Sequence, residues 1–160
     1  QIFAEQYAQG EWFAVWFGVF AVAIAFAMIL NGRLVMKLGM RKLSKYALRG
    51  EILLSLAFLA VVLAYGGHPP LWLLGVYLFA TFFCCGILFG NYNALAMEPM
   101  GRIAGMAAAL SGSLSSLVAI ITGGIFGRFY DGTVMPLTLG YAGLGLCALL
   151  FSEWAERRRA

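Results

Sequence analysis

The side chains that are able to act as nucleophile and base in this chain of 160 residues lie far apart. Ser111, in the run 109–112, resembles a serine nucleophile turn, but such a serine needs a histidine within hydrogen-bond reach. The only histidine is His68. On the helix assignment given below, Ser111 lies roughly 13 Å into the membrane from one surface. His68 lies at the other surface of a bilayer about 30 Å thick. The sequence therefore predicts no catalytic pair and no enzyme.

Metal and cofactor motifs are also missing from the sequence. Cys84, Cys85 and Cys147 fall inside apolar runs and lack the paired spacing of a zinc site. No HExxH motif, pair of aspartates or phosphate-binding glycine loop occurs. Adjacent cysteines rarely bridge each other, so we interpret the thiols as packing groups. We expect no metal and no cofactor.

The acidic residues are expected away from the middle of the membrane. Glu51 is expected in the first turn of the second span, Glu98 in a cytoplasmic loop and Asp131 in an outer loop. A carboxylate that couples to protons normally needs partial burial, which shifts its pKa toward the working pH. If the protein uses protons, we therefore expect the coupling acid outside these 160 residues.

Polar side chains recur on one face of the third predicted helix. Tyr77, Thr81 and Asn91 share this face with Cys84 and Leu88, because the spacings alternate between three and four. Polar groups at membrane depth usually face a bundle interior or a water-filled cavity. The alternative is that the tyrosine anchors at the interface and the asparagine ends the helix.

The fourth predicted helix carries a narrow hydroxyl face with Ser111, Ser115 and Thr122. We interpret this face, with the polar face of the third helix, as a substrate path; alternatively, its hydroxyls bond to their own backbone. A stripe of small residues runs beside it. Its members are Gly105, Gly112, Ser116, Ala119, Gly123 and Gly127. Small side chains let helix backbones approach closely in lipid, so the stripe predicts helix packing.

The composition is that of a membrane protein. Hydrophobic residues make up 62% of the chain and charged residues 11%, against about 45–50% and about 25% in soluble proteins. A soluble globule would need more polar surface than this. The cations cluster in residues 33–49 and in the tail 157–159, without the interleaved aromatics of a nucleic-acid interface, so we expect no nucleic-acid partner.

Five apolar runs are long enough to cross a bilayer as helices, for which about 20 residues are needed. The predicted fold class is therefore an all-α integral membrane protein with five transmembrane helices. The predicted spans are residues 12–30, 46–67, 71–91, 103–127 and 134–152. Cations are concentrated on the cytoplasmic side of membrane proteins. Placing the first loop inside puts ten of the eleven cations there, which predicts an outer N-terminus and a cytoplasmic C-terminus.

Two connecting segments carry motif-like residues. In residues 32–42, Gly32 and Gly39 enclose a basic turn that contains Arg33 and Arg41, and a positive-inside anchor explains the charges but not the glycines. In residues 97–102, Pro99 suits a first helical position. Glu98 is interpreted as a cap that complements the helix dipole, with a gating or coupling role as the alternative.

These segments resemble a known transporter family. Residues 32–42 are similar to the signature between the second and third helices of each half in major facilitator transporters. NYNALAMEP at 91–99, with Gly101 and IAG at 103–105, looks like the Bcr/CflA drug-resistance branch, as does YDGT at 130–133 with Pro136. The chain would then be helices eight to twelve of a twelve-helix carrier. One departure is Met36, where the signature usually has an acid, which puts a charge-based gate at this loop in doubt.

The resemblance implies proton-coupled export of drugs or other small molecules by alternating access. It implies a bacterial inner membrane, and as partners membrane lipid, an N-terminal half that precedes this chain, a small-molecule substrate and protons. In that family the third and fourth spans here would border the cavity. The alternative hypothesis is a membrane-embedded structural or assembly subunit that packs through the small stripe and transports nothing.

Overall fold

The computed structural model describes residues 1–158, and five long α-helices make up most of them. They are α1 (Phe13–Leu38), α2 (Met40–Ala64), α3 (Leu71–Met97), α4 (Ala104–Arg128) and α5 (Met135–Arg157). A short π-helix (Ile2–Gln6) precedes α1, and a 3₁₀ segment (Glu98–Ile103) joins α3 to α4. No strand occurs within the described residues. The prediction of an all-α membrane protein is confirmed.

Four continuous helical stretches are long and apolar enough to cross a membrane. The third, Leu71–Arg128, has 58 residues and contains both α3 and α4. A straight helix of that length would be about 87 Å long, nearly three times the hydrocarbon thickness. Gly101, with φ 4° and ψ −83°, interrupts the helical backbone between the two halves. α3 and α4 are therefore separate helices.

The helices extend beyond the apolar runs at the basic connection. α1 continues to Leu38 and α2 begins at Met40, so that Gly39, with φ +77°, is the only residue between them. Gly32 and Arg33 lie inside α1, which differs from the predicted turn over 32–42. Charged residues are good helix formers, so the end of an apolar run does not mark the end of a helix.

The position of Glu51 corrects the sequence analysis. The apolar run begins at Ile52, and the expectation was that Glu51 lies in the first turn of the second span. α2 begins at Met40, so Glu51 lies near the middle of a helix of 25 residues. It is 4% exposed, because other helices cover it. The helix therefore begins before the predicted span, and Glu51 is a buried residue of its interior.

The bundle is built around α3, which packs against α1 on one side and α2 on the other, while α5 packs against α2. The two ends of the bundle are called the Gly39 end and the His68 end, after residues in the helix connections that lie there. One buried cluster lies toward the His68 end and includes Phe20, Phe58, Leu74 and Tyr77. A smaller cluster toward the Gly39 end contains Ala27, Leu43, Ala47 and Ile87.

Helix α4 stands largely apart from the other four helices. None of its residues is buried. It approaches α5 near the His68 end, where Phe126 lies against Gly140, and a Cβ built on that glycine would be 3.1 Å from the Phe126 ring. Along most of its length α4 has no neighbour among the described residues.

The two ends of the bundle differ in the number of cations. Of the ten cations in residues 1–158, only Arg128 lies at the His68 end. At the Gly39 end, Lys45 and Arg49 of α2 pair with Glu153 of α5 at 3.7 and 3.3 Å. These partly exposed ion pairs join α2 to α5, but solvent screening makes each a small contribution to stability.

Candidate functional site

The polar residues predicted on α3 lie in a packed core. Tyr77 is 2% exposed, Thr81 0% and Asn91 2%. The Tyr77 ring stacks on Phe58 of α2, with ring centroids 4.1 Å apart. Asn91 accepts a hydrogen bond of 3.0 Å from the side-chain amide of Asn31 on α1. The face is thus directed into the bundle, and protein side chains rather than a channel fill the space beside it.

The hydroxyls predicted on α4 lie on an exposed helix. Ser111, Ser115 and Thr122 are all outside the core. Thr122 donates to the carbonyl oxygen of Val118 at 2.7 Å, which is the local backbone bond given above as the alternative. The hydroxyl face of α4 and the polar face of α3 do not meet in this structure.

The small stripe of α4 also lacks neighbours among the described residues. A Cβ built on Gly105, Gly112, Gly123 or Gly127 would meet nothing within 4 Å. Ser116 is likewise exposed. The stripe therefore has no packed neighbour within residues 1–158, and its packing role stays a prediction.

A cavity lies between α1, α3, α4 and α5 toward the His68 end. Its volume is about 430 Å³. Its lining is mainly aromatic and aliphatic, with two phenol groups and the side chain of Gln1 as polar groups. The aromatic lining residues are Phe3, Phe13, Phe17, Phe20, Phe82, Phe126, Tyr130 and Tyr141, and the remaining lining residues include Gly123, Gly127, Pro136 and Leu137. This is called the aromatic cavity below.

None of the six residues of the predicted path lines the aromatic cavity. Sequence reasoning did not find its residues, although Phe13, Phe17 and Phe20 recur at helical spacing on α1 and so share a face. An aromatic stripe of that kind is equally typical of lipid contact. The aromatic face of α1 becomes the wall of a cavity because α4 and the N-terminal segment lie opposite it.

Glu51 belongs to a buried hydrogen-bonded group that the sequence analysis missed. The Ser55 hydroxyl, one turn further along α2, bonds to Glu51 Oε1 at 2.9 Å. The Ser55 and Tyr77 hydroxyl oxygens are 2.9 Å apart. The three side chains form a chain of hydrogen bonds from α2 to α3, which is called the Glu51 chain below.

Helix α5 covers the carboxyl group of Glu51. A Cβ on Gly145 would overlap Glu51 Oε2 and would lie 2.9 Å from Ile52 Cγ1. Glycine therefore lets α5 lie against the carboxyl in its present position, which a larger residue would displace. No Lys, Arg or His nitrogen within residues 1–158 lies within 4.0 Å of its oxygens.

The residues of the predicted loop motif are partly brought together. Arg41 and Glu98 form an exposed ion pair of 3.7 Å between α2 and the 3₁₀ segment. Pro99 occupies one of the first two positions of that segment, as expected. Glu98 makes no side-chain capping bond at either helix end that it adjoins. Its contact is therefore with Arg41 rather than with a helix terminus.

Comparisons of this chain with models of protein families, with curated proteins and with solved structures gave no match. The described residues also contain no cluster of three or more His, Cys, Asp or Glu side chains that would hold a metal ion.

Proposed function

We propose that this chain is part of a secondary transporter that moves a small, largely apolar molecule across a membrane, with protons as the coupling ion. The observation that carries the proposal is the aromatic cavity. Cavities of roughly 300–1,000 Å³ with apolar walls and a few polar groups are typical of small-molecule sites. A volume of about 430 Å³ lies in that range, and its phenol and amide groups would orient a bound molecule.

The position of α4 at the wall of the cavity supports transport. Gly123, Phe126 and Gly127 form one wall of the aromatic cavity, and the rest of their helix is not packed against the described bundle. This wall lies outside the packed core of α1, α2 and α3, so it can move relative to that core. Alternating access requires such relative movement of helices around a site.

The resemblance to the Bcr/CflA branch of major facilitator transporters gives the proposal its finer detail. It suggests export of drugs or similar compounds from the bacterial inner membrane, with the Gly39 end and the C-terminus in the cytoplasm. The concentration of cations at the Gly39 end supports this orientation. A further set of helices, which the family places before this chain, would cover the exposed face of α4.

The experiment is dye efflux from bacterial cells that express the full-length protein, with ethidium as the probe. We expect efflux that a protonophore abolishes. Gly123→Trp places a large ring in the aromatic cavity and should lower efflux to the level of cells without the protein. Gly124→Trp is the matched control, because Gly124 also has open space around it but does not line the cavity.

Equal efflux from Gly123→Trp and Gly124→Trp cells, at equal protein levels in the membrane, would contradict the cavity assignment. Replacing Ser111 and Ser115 with leucine tests the path predicted from the sequence in the same assay.

The small stripe of α4, which has no packed neighbour within residues 1–158, favours a second candidate, an assembly subunit without transport. For that candidate, Gly112→Trp should release a bound partner protein from the purified complex, and no variant should affect efflux.

A further inference from the structure

We propose that Glu51 is a proton-binding site and that Tyr77 and Tyr141 link it to the aromatic cavity. The use of this site in transport rests on the proposed function. The site itself is argued from the contacts around Glu51.

The surroundings of Glu51 suit a neutral carboxyl group. It is 4% exposed, and within residues 1–158 no cation lies within 4.0 Å of its oxygens. Lys45 and Arg49 of the same helix are engaged with Glu153 and Glu156. Burying an ionised carboxylate without a partner is costly, whereas a protonated carboxyl needs only hydrogen bonds. The packed arrangement therefore favours Glu51 with a proton bound.

The Glu51 chain can accommodate either protonation state. The Ser55 hydroxyl has one proton. When Glu51 is ionised, Ser55 donates to its carboxylate and Tyr77 donates to Ser55. When Glu51 Oε1 carries the proton, both bonds reverse, so that Glu51 donates to Ser55 and Ser55 donates to Tyr77. The heavy atoms keep their positions in both states, and in the second state the Tyr77 hydroxyl proton turns away from Ser55.

The contact between α5 and α2 should depend on whether Glu51 carries a proton. Gly145 brings the α5 backbone against Glu51 Oε2 and so keeps water away from it. An ionised carboxylate needs water or a cation, and neither fits while α5 remains in place. Loss of the proton should therefore loosen the contact between α2 and α5.

Tyr141 of α5 connects this contact to the aromatic cavity. It lines the cavity, and its ring packs edge-on against Tyr77, with centroids 6.3 Å apart. Tyr77 is in turn the end of the Glu51 chain. A shift of α5 at Gly145 would move Tyr141 and change the cavity. The other titratable groups that face Glu51 are Cys84 and Cys85 of α3.

In the proposed step, the Glu51 carboxylate takes a proton from a hydronium ion, which becomes water, and later returns a proton to water. Only O–H bonds form and break. The protonated state corresponds to the closed packing of α2 and α5 seen here, with the cavity formed.

The first test is infrared difference spectroscopy of the full-length protein in lipid, between acidic and alkaline pH. The wild type should show the C=O stretching band of a protonated carboxyl group. Glu51→Gln should lose it, and Glu153→Gln should keep it, because Glu153 is a partly exposed carboxylate paired with Lys45 and Arg49. An identical band in Glu51→Gln would overturn the site. If Glu51→Gln does not fold, Ser55→Ala should shift the band by removing its hydrogen bond, and an unshifted band would overturn the site.

The second test measures the link to the cavity, with the uncharged fluorophore N-phenylnaphthylamine as the probe. Its Kd should be lower at acidic than at alkaline pH, by about fivefold or more if the coupling is typical of linked sites. Glu51→Gln should bind equally at both pH values, and Tyr77→Phe should show a reduced difference while keeping the carboxyl band. A Kd independent of pH in the wild type would overturn the link.

These outcomes separate the inference from the proposed function. A carboxyl band that depends on Glu51, in a protein that does not export ethidium, would support the proton site and contradict the transport proposal. Ethidium efflux with no such band would support transport and overturn the site.

Discussion

At the scale of single residues, Gly145 determines how closely two helices approach. It lies opposite Glu51 and Ile52, and a Cβ atom at this position would overlap the carboxyl group where it now lies. Gly143, two residues earlier on the same helix, would have nothing within 4 Å of an added Cβ atom. The two glycines therefore differ only in whether a neighbouring helix lies against them.

We predict that Gly145→Ala lowers the free energy of unfolding by roughly 1–3 kcal/mol, the usual cost of overpacking. The added methyl group would force α5 away from α2. Gly143→Ala should leave stability unchanged or raise it slightly, because alanine favours helix. Thermal unfolding of the purified protein in detergent measures both. Equal stability of the two variants would show that α5 does not lie against Glu51.

The hydrogen bonds of Asp131, in the turn between α4 and α5, predict a titration effect. Its carboxylate accepts bonds from the Thr133 hydroxyl at 2.7 Å and the Thr133 amide at 3.0 Å. These bonds hold the pKa of Asp131 below its ordinary value of 3.8. Since the folded pKa is the lower one, the bonds stabilise the turn above the unfolded pKa, and this contribution is lost as the pH falls through the folded pKa.

Thr133→Val should raise the pKa of Asp131 toward its ordinary value, because it removes the hydroxyl donor and keeps the side-chain shape. Carbon-13 NMR titration of the Asp131 carboxyl group measures this pKa directly. An unchanged pKa in Thr133→Val would contradict the hydrogen bond from the hydroxyl.

At the scale of helices, the contact between α1 and α3 depends on Gly86. A Cβ at this position would lie 2.9 Å from Ala27 Cβ and 3.0 Å from the backbone oxygen of Ile24. Backbone atoms cannot move aside as the end of a side chain can. The two helices are therefore in close contact at this level.

We predict that Gly86→Ala destabilises the bundle by roughly 1–3 kcal/mol, because α1 must move away from α3. Gly90→Ala, one turn further along α3, is the matched control, since its Cβ would make an ordinary contact of 3.6 Å with the Asn31 side chain. Chemical denaturation in detergent compares the two. A larger loss of stability in Gly90→Ala would contradict the observed α1–α3 crossing.

The sequence predicted the helices better than their contacts. The apolar runs predict helices over all five spans, and the polar spacing on α3 predicts that Tyr77, Thr81 and Asn91 share a face. The buried state of Glu51 was not predictable in this way, because the run of charges before Ile52 indicates a surface position. Its burial depends on Gly145, 94 positions away, and local sequence patterns carry no information about such a contact.

At the scale of the whole molecule, the direction of each helix determines at which end of the bundle each connection lies. α3 and α4 form one continuous helical stretch of 58 residues, and the bend at Gly101 turns them into two helices that run in opposite directions. All the helix connections then lie at either the Gly39 end or the His68 end. The aromatic cavity, the Glu51 chain and the proposed orientation all require these ends to face opposite sides of the membrane.

Cysteine labelling of intact cells tests this arrangement most directly. In a background with Cys84, Cys85 and Cys147 replaced by serine, a single cysteine at His68 or at Lys42 is exposed to a membrane-impermeant maleimide. We expect labelling of His68→Cys in intact cells and labelling of Lys42→Cys only after the membrane is opened. Labelling of both positions in intact cells, or of neither, would contradict the account.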